Sequence, residues 1–229
     1  MLRDFLDAKI TYTLLVLNTV IYLLSAFLSK NFVDIDIEVL GIMGAIYGPA
    51  TVLYQEWWRL MSALFLHGGI AHLLMNMFSL YIIGMTAERY FTPGNYISLY
   101  LISGILGGLV SIVVHPVSIG VGASGAIFGI FGALAGFFIA HREEIASHSK
   151  AFMKSFSLII AVNLLIGLSI PDVDVSAHIG GLLAGLIGGY MLSKNSIVQQ
   201  TIYYLLVLSV ILCIAYYLIG QYAKPRFFL

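Results

Sequence analysis

Seven stretches of this chain are long and apolar enough to be read as membrane spans, and that leaves few folds open. A helix needs about 20 apolar residues to cross the hydrocarbon core of a bilayer. The candidate spans are Ile10–Leu28, Ile70–Ala87, Tyr96–Val114, Ser124–Ala140, Ala151–Leu168, Ala177–Ser193 and Thr201–Gly220. Lys154 is the one Asp, Glu, Lys or Arg inside them, near an end where a lysine can snorkel to the interface. Only 10% of the residues are charged, against roughly a quarter in a soluble domain. The pattern predicts an all-α polytopic membrane protein folded as one bundle. All five prolines (Pro49, Pro93, Pro116, Pro171, Pro225) fall between or beyond the expected spans, where helix breakers belong.

The charges argue against several classes of function. Net charge is zero, with no basic block, so nucleic acid is not expected as a partner. The lone Cys213 rules out an intrachain disulfide and any cysteine-based metal cluster. The N-terminal run is too long for a signal-peptide core and is read as a retained first helix.

Lys and Arg placement sets the expected orientation. With the N-terminus inside, the inner segments hold Arg3, Lys9, Arg89, Arg142, Lys150, Lys154 and Lys194, and the outer ones Lys30, Arg59, Lys224 and Arg226. The connection from Ser29 to Gly69 is too polar to span and too apolar to be disordered. Its Trp57-Trp58 pair and its tyrosines favour an interface, so a packed element in the outer leaflet is expected.

In this topology the second, fourth and sixth spans run from outside to inside. His72 and Asn76 lie in the first turns of the second, Ser124 opens the fourth and His178 opens the sixth. All four polar groups then fall at one depth near the outer face, although none was used to set the orientation. At 100° per residue His72, Asn76 and Ser79 share a face, and His178, Gly181, Gly185 and Gly189 fall within roughly 60° of one another. Gly125, Gly129, Gly132 and Gly136 form a second small-residue stripe. Such stripes let membrane helices approach closely, and a close fourth-to-sixth contact would bring Ser124 beside His178.

A serine activated by a histidine is the smallest kit for acyl transfer. Ser124 is the expected nucleophile and His178 the base. His72, Asn76 and the Ser124 backbone N–H are available as oxyanion donors. No carboxylate lies inside the spans on this side, so a dyad is expected, and Asp172 and Asp174 are read as solvated loop acids. A proton-coupled carrier using His72 and His178 would be expected to show an internal repeat and a midplane acid, and the sequence has neither. A three-histidine metal site from His67, His72 and His178 lacks a metalloprotease motif. No cofactor or metal is expected.

Trp58-Arg59, then His67, His72 and Asn76, then Gly122-Ala123-Ser124-Gly125, then Ala177-His178-Ile179-Gly180-Gly181 with Gly185 and Gly189, resemble the rhomboid intramembrane serine proteases in order and spacing. The resemblance implies a six-helix core over residues 1–195, with residues 196–229 as one additional C-terminal helix in the same bundle. It implies an endopeptidase that cuts within or next to transmembrane segments of membrane-protein substrates, among lipids, with Ser124 and His178 catalytic. It further implies His72 and Asn76 as oxyanion donors and Phe128 stacked on His178, where many members have a tyrosine. Gly125, Gly129, Gly181 and Gly185 would pack the helices. The loop around Trp58 and Arg59 would be a structural membrane element, and the fifth span with the loop Leu168–Ser176 a gate and cap. His67 is read as structural and pointing to a different helix face from His72. His115, His141 and His148 are read as interfacial or solvated. A bacterial inner membrane is the expected location, with the N-terminus cytoplasmic and the site near the outer face.

Overall fold

The computed structural model describes residues 8–143, 173–194 and 196–224. The expected fifth span, Ala151–Leu168, lies outside the described residues, as do His148 and Asp172. The elements run in the order α1 (Lys9–Ser29), α2 (Ile37–Ile42), β1 (Ile46–Tyr47), α3 (Gly48–Val52), α4 (Arg59–Ser62), a 3-10 turn (Ala63–Phe65) and α5 (Ile70–Ala87). They continue with α6 (Pro93–Val114), β2 (Ile119–Gly120), α7 (Ser124–Ala140), α8 (Val175–Leu192) and α9 (Ile197–Tyr222). The protein is an all-α polytopic membrane bundle. Five of these helices are long and apolar enough to span a bilayer, and α7 is a shorter apolar helix.

Two helices match their expected bounds, and the others shift for local reasons. Pro93 is not outside its helix as expected. It occupies the first turn of α6, where its missing N–H is no loss, and Thr92 caps that turn by accepting from Asn95 N–H at 3.3 Å. α8 begins at Val175, two residues early, because Asp174 caps it. α9 runs from Ile197 to Tyr222, longer at both ends than expected.

α7 sits at the centre. Twelve of its residues are buried, from Gly125 to Phe138, and its most extensive contact is with α8, followed by α8 with α6. Lipid tails are as apolar as leucine, so apolar area alone does not drive two membrane helices together, and close backbone packing must. A Cβ on Gly181 would collide with the Gly125 carbonyl, one on Gly185 with the Gly129 carbonyl, and one on Gly189 with the Ala133 carbonyl. Gly132 and Gly136 meet the Leu182 and Leu186 carbonyls in the same way. Gly125 differs, because a Cβ there would stand 3.5 Å from the nearest atom, the Ala177 carbonyl oxygen. Gly125 contributes its carbonyl to the seam, and Gly181 contributes the missing side chain. Gly107 of α6 and Gly180 of α8 press α6 against the other flank.

Residues 31–69 form a packed element, as the sequence implied. Arg59 holds it together. Its guanidinium donates to the Gly41 carbonyl at 2.8 Å and the Ala45 carbonyl at 3.0 Å, pairs with Glu56 at 2.5 Å, and lies over the Trp58 ring. Gly44, at φ +100°, passes under that ring where no side chain would fit. At the opposite end of the bundle Glu88 accepts the Thr11 N–H at 2.6 Å, which satisfies one of the free donors in the first turn of α1.

Gly185→Ala should destabilise the bundle by about 1–3 kcal/mol, because the new methyl meets a backbone carbonyl that moves only if α7 and α8 separate. Gly220→Ala, with open space around it, should leave stability within about 1 kcal/mol of wild type. Thermal unfolding in detergent micelles separates the two; equal midpoints for both variants would mean that the seam does not set stability.

Candidate active site

The approach to Ser124 is fixed from several sides. β2 pairs antiparallel with β1, Ile119 opposite Tyr47 and Gly120 opposite Ile46. Two residues on, Gly122 takes φ +125°, a conformation side chains resist, and its N–H donates to the Ala63 carbonyl at 2.9 Å. Ala123 is fully buried, and Ser124 opens α7. The hydroxyl therefore stands at the start of a helix whose next residues are packed on every side.

His178 reaches the same point from α8. Its Nε2 lies 2.8 Å from Ser124 Oγ, a hydrogen bond between residues 54 apart in sequence. The imidazole is buried and stacks on Phe128, with ring centroids 4.3 Å apart and planes 13° from parallel. Phe128 is one helical turn after Ser124, so one short stretch of α7 supplies both the hydroxyl and the ring that orients its base.

α5 brings the remaining polar groups. A Cβ placed on Gly122 would stand 2.8 Å from His72 Nε2 and 3.8 Å from Asn76 Nδ2. Both side chains thus flank the turn that delivers Ser124. Asn76 is buried and donates from Nδ2 to the His72 carbonyl at 3.2 Å. His67 departs from expectation. It lies outside α5, so the helix-face argument does not apply to it, and its ring meets the His72 ring edge-on at 5.1 Å. Burial, and next the neighbouring His72, push the His67 pKa down to about 3. His67 is therefore a neutral packing partner at physiological pH.

Asp174, expected as a solvated loop acid, is a capping residue at the head of the helix that carries His178. It caps α8, accepting the Ala177 N–H at 3.1 Å and the Ser176 hydroxyl at 2.5 Å. His115, exposed at the end of α6, lies 4.0 Å away. Burial raises the Asp174 pKa, but hydrogen bonds from Ser111, Ser176 and Ala177 and the His115 charge outweigh it, so the carboxyl is held below its ordinary value. The sequence signal was present: an Asp three residues before Ala177, at the head of an apolar run, is an N-cap pattern. Among the described residues no three His, Cys, Asp or Glu side chains are grouped to hold a metal ion.

A central short helix with a serine at its head, a histidine across a glycine seam, and a packed element leading into it together define a polytopic membrane protein with a Ser–His pair at one end of its bundle. Comparison with known proteins agrees. The Rhomboid domain family matches residues 54–195, and the chain belongs to that family. It is 43% identical over 150 residues to the mitochondrial RHOMBOID-like protein 6 of Arabidopsis thaliana, covering 66% of this chain and 48% of that protein. It is 36% identical over 179 residues to rhomboid protease GluP of Bacillus subtilis, covering 76% of this chain and 33% of that protein. RHOMBOID-like protein 4 of Arabidopsis is 43% identical over 154 residues, 67% of this chain and 38% of that one. The chain thus matches about a third to a half of the length of these relatives, which come from both a plant and a bacterium.

Asp174→Ala should cost about 1 kcal/mol of stability and loosen the turn that carries His178, whereas Asp174→Asn should keep the cap. Because the Asp174 carboxyl is held low, its contribution is complete at neutral pH and is lost as pH falls through and below the ordinary carboxylate range. Unfolding midpoints between pH 7 and pH 3 should fall less steeply in Asp174→Asn than in wild type. Parallel curves would remove the carboxylate from the account.

Proposed function

We propose that this chain is an intramembrane serine endopeptidase that hydrolyses peptide bonds within or next to transmembrane segments of membrane proteins. The observation that carries the reading is the 2.8 Å contact between His178 Nε2 and Ser124 Oγ, with the imidazole held flat on Phe128. The relative GluP, which is named a rhomboid protease, supports the same class.

In the proposed mechanism His178 Nε2 takes the Ser124 proton as Oγ attacks the scissile carbonyl. The tetrahedral oxyanion is met by the Ser124 backbone N–H, one of the free donors in the first turn of α7, and by the His72 and Asn76 side chains. His178 then returns the proton to the leaving amine, and water releases the acyl group by the reverse sequence. A substrate helix hides its carbonyls in its own hydrogen bonds, so the scissile stretch must become extended before attack. Such a substrate would be cut most readily where small residues weaken its helix.

Two placements support an intramembrane site. α7 has 17 residues, about 25 Å of helix against about 30 Å of hydrocarbon, so its serine end is recessed when its other end reaches the surface. The Lys and Arg distribution supports a cytoplasmic N-terminus with the Ser124 end toward the outer face. We further infer that residues 1–195 form the catalytic core and residues 196–229 an added helix of the same bundle. The Rhomboid match ends at residue 195, just before α9.

The test is cleavage in proteoliposomes of fusion proteins that each carry one transmembrane segment with small residues near its outer end. Wild type should release a membrane-proximal fragment. Ser124→Ala and His178→Ala should each lower the rate by at least about a thousandfold, with unchanged unfolding midpoints. Continued cleavage by Ser124→Ala at the same bond would refute the nucleophile.

A further inference from the structure

α9 lies beyond the matched domain and is mostly exposed, yet it returns to the bundle at the site end. Four of its residues are buried: Tyr203 and Val207 near its start, and Leu218 and Tyr222 near its finish. The second pair packs in a cluster with Ile46, Val52, Leu60, Ala63, Leu106, Leu109 and Ile112. Two of its members touch the segment that delivers Ser124: Ile46 pairs with Gly120, and the Ala63 carbonyl accepts the Gly122 N–H.

Tyr222 makes the polar contact there. Its hydroxyl donates to the Pro116 carbonyl, and a Cβ on Gly48 would collide with both the hydroxyl and that carbonyl. One oxygen therefore joins three parts of the chain: the end of α9, the first residue of α3, and the start of the loop from α6 to α7. Pro116 stands eight residues before Ser124. Between them β2 pairs with β1, and Gly122 is tied to Ala63, a member of the same cluster. The loop contains Gly120 and the left-handed Gly122, so its own backbone does little to restrict it.

We propose that α9 braces the nucleophile loop, with Tyr222 as a positioning residue that holds Pro116 and β2 so that Ser124 meets His178. The proposal rests on the reading of Ser124 as nucleophile and assigns a purpose to the helix outside the matched domain. The tyrosine touches no reacting atom and acts through the loop.

The experiment uses the full chain in detergent micelles, with two readouts. Hydrogen exchange of residues 117–122 reports the brace, and the rate constant for labelling by a fluorophosphonate reports its effect on Ser124. Tyr222→Phe keeps the ring and removes the donor. It should speed exchange of residues 117–122 and slow labelling, each by about five- to tenfold, the worth of one buried hydrogen bond. Exchange in α5 should be unchanged. Gly48→Ala, which fills the position of the hydroxyl, should act in the same direction. Tyr216→Phe, on the exposed face of α9, should match wild type. A merely structural tyrosine would lower the unfolding midpoint and leave the labelling of folded protein unchanged. Unchanged exchange in residues 117–122 of Tyr222→Phe overturns the brace, as does faster exchange with unchanged labelling. If wild type itself is not labelled, the nucleophile assignment fails, and the exchange measurement alone still decides whether Tyr222 holds the loop.

Discussion

The structure depends on the bare contact between α7 and α8. Where Gly181, Gly185 and Gly189 face the carbonyls of Gly125, Gly129 and Ala133, the two backbones touch without intervening side chains. In a bilayer this closeness replaces the hydrophobic drive that would hold soluble helices together. It also fixes the distance between a serine on one helix and a histidine on the other. Chain separation is irrelevant to that distance, because residues 124 and 178 are joined by the seam. An added methyl in the seam would move the histidine away from the hydroxyl as well as loosen the fold, so stability and the proposed chemistry share one constraint.

A second constraint comes from the end of the bundle where the site lies. Backbone in or near a bilayer must find partners for its polar groups within the protein wherever water is excluded. Residues 31–69 supply them. Arg59 absorbs the Gly41 and Ala45 carbonyls, the β1–β2 pair satisfies part of the approach to Ser124, and the Gly122 N–H goes to Ala63. Asp174 does the same for the first turn of α8. The β1–β2 pair, the Gly122–Ala63 bond and the Asp174 cap each close a backbone donor or acceptor within a few residues of Ser124 or His178, while Arg59 ties together the element that carries β1.

Much of this was legible in the sequence. Apolar runs gave α5 and α7 to the residue, since an apolar helix bounded by polar or glycine-rich turns writes its length directly into composition. His72, Asn76, Ser124 and His178, each expected in the first turns of a span, do converge around Gly122 and Ser124, and the glycine faces named the pair of helices that pack there. What escaped was local or tertiary. Pro93 was read as a breaker although a proline suits the first turn of a helix. Asp174 was read as solvated although it stands where a cap stands. His67 was assigned to a helix face although α5 begins after it, and so its contact with His72 was missed. The return of Tyr222 to Pro116 had no sequence signal, because a tyrosine at the end of an exposed helix looks like any interfacial aromatic.

The most direct test of the central claim is where a covalent serine probe attaches. Wild-type protein treated with a fluorophosphonate, digested and mapped by mass spectrometry should carry one adduct, on Ser124, and His178→Ala should carry almost none. An adduct on a different serine, or equal modification of Ser124 with and without His178, would contradict an activated Ser–His pair built on the α7–α8 seam.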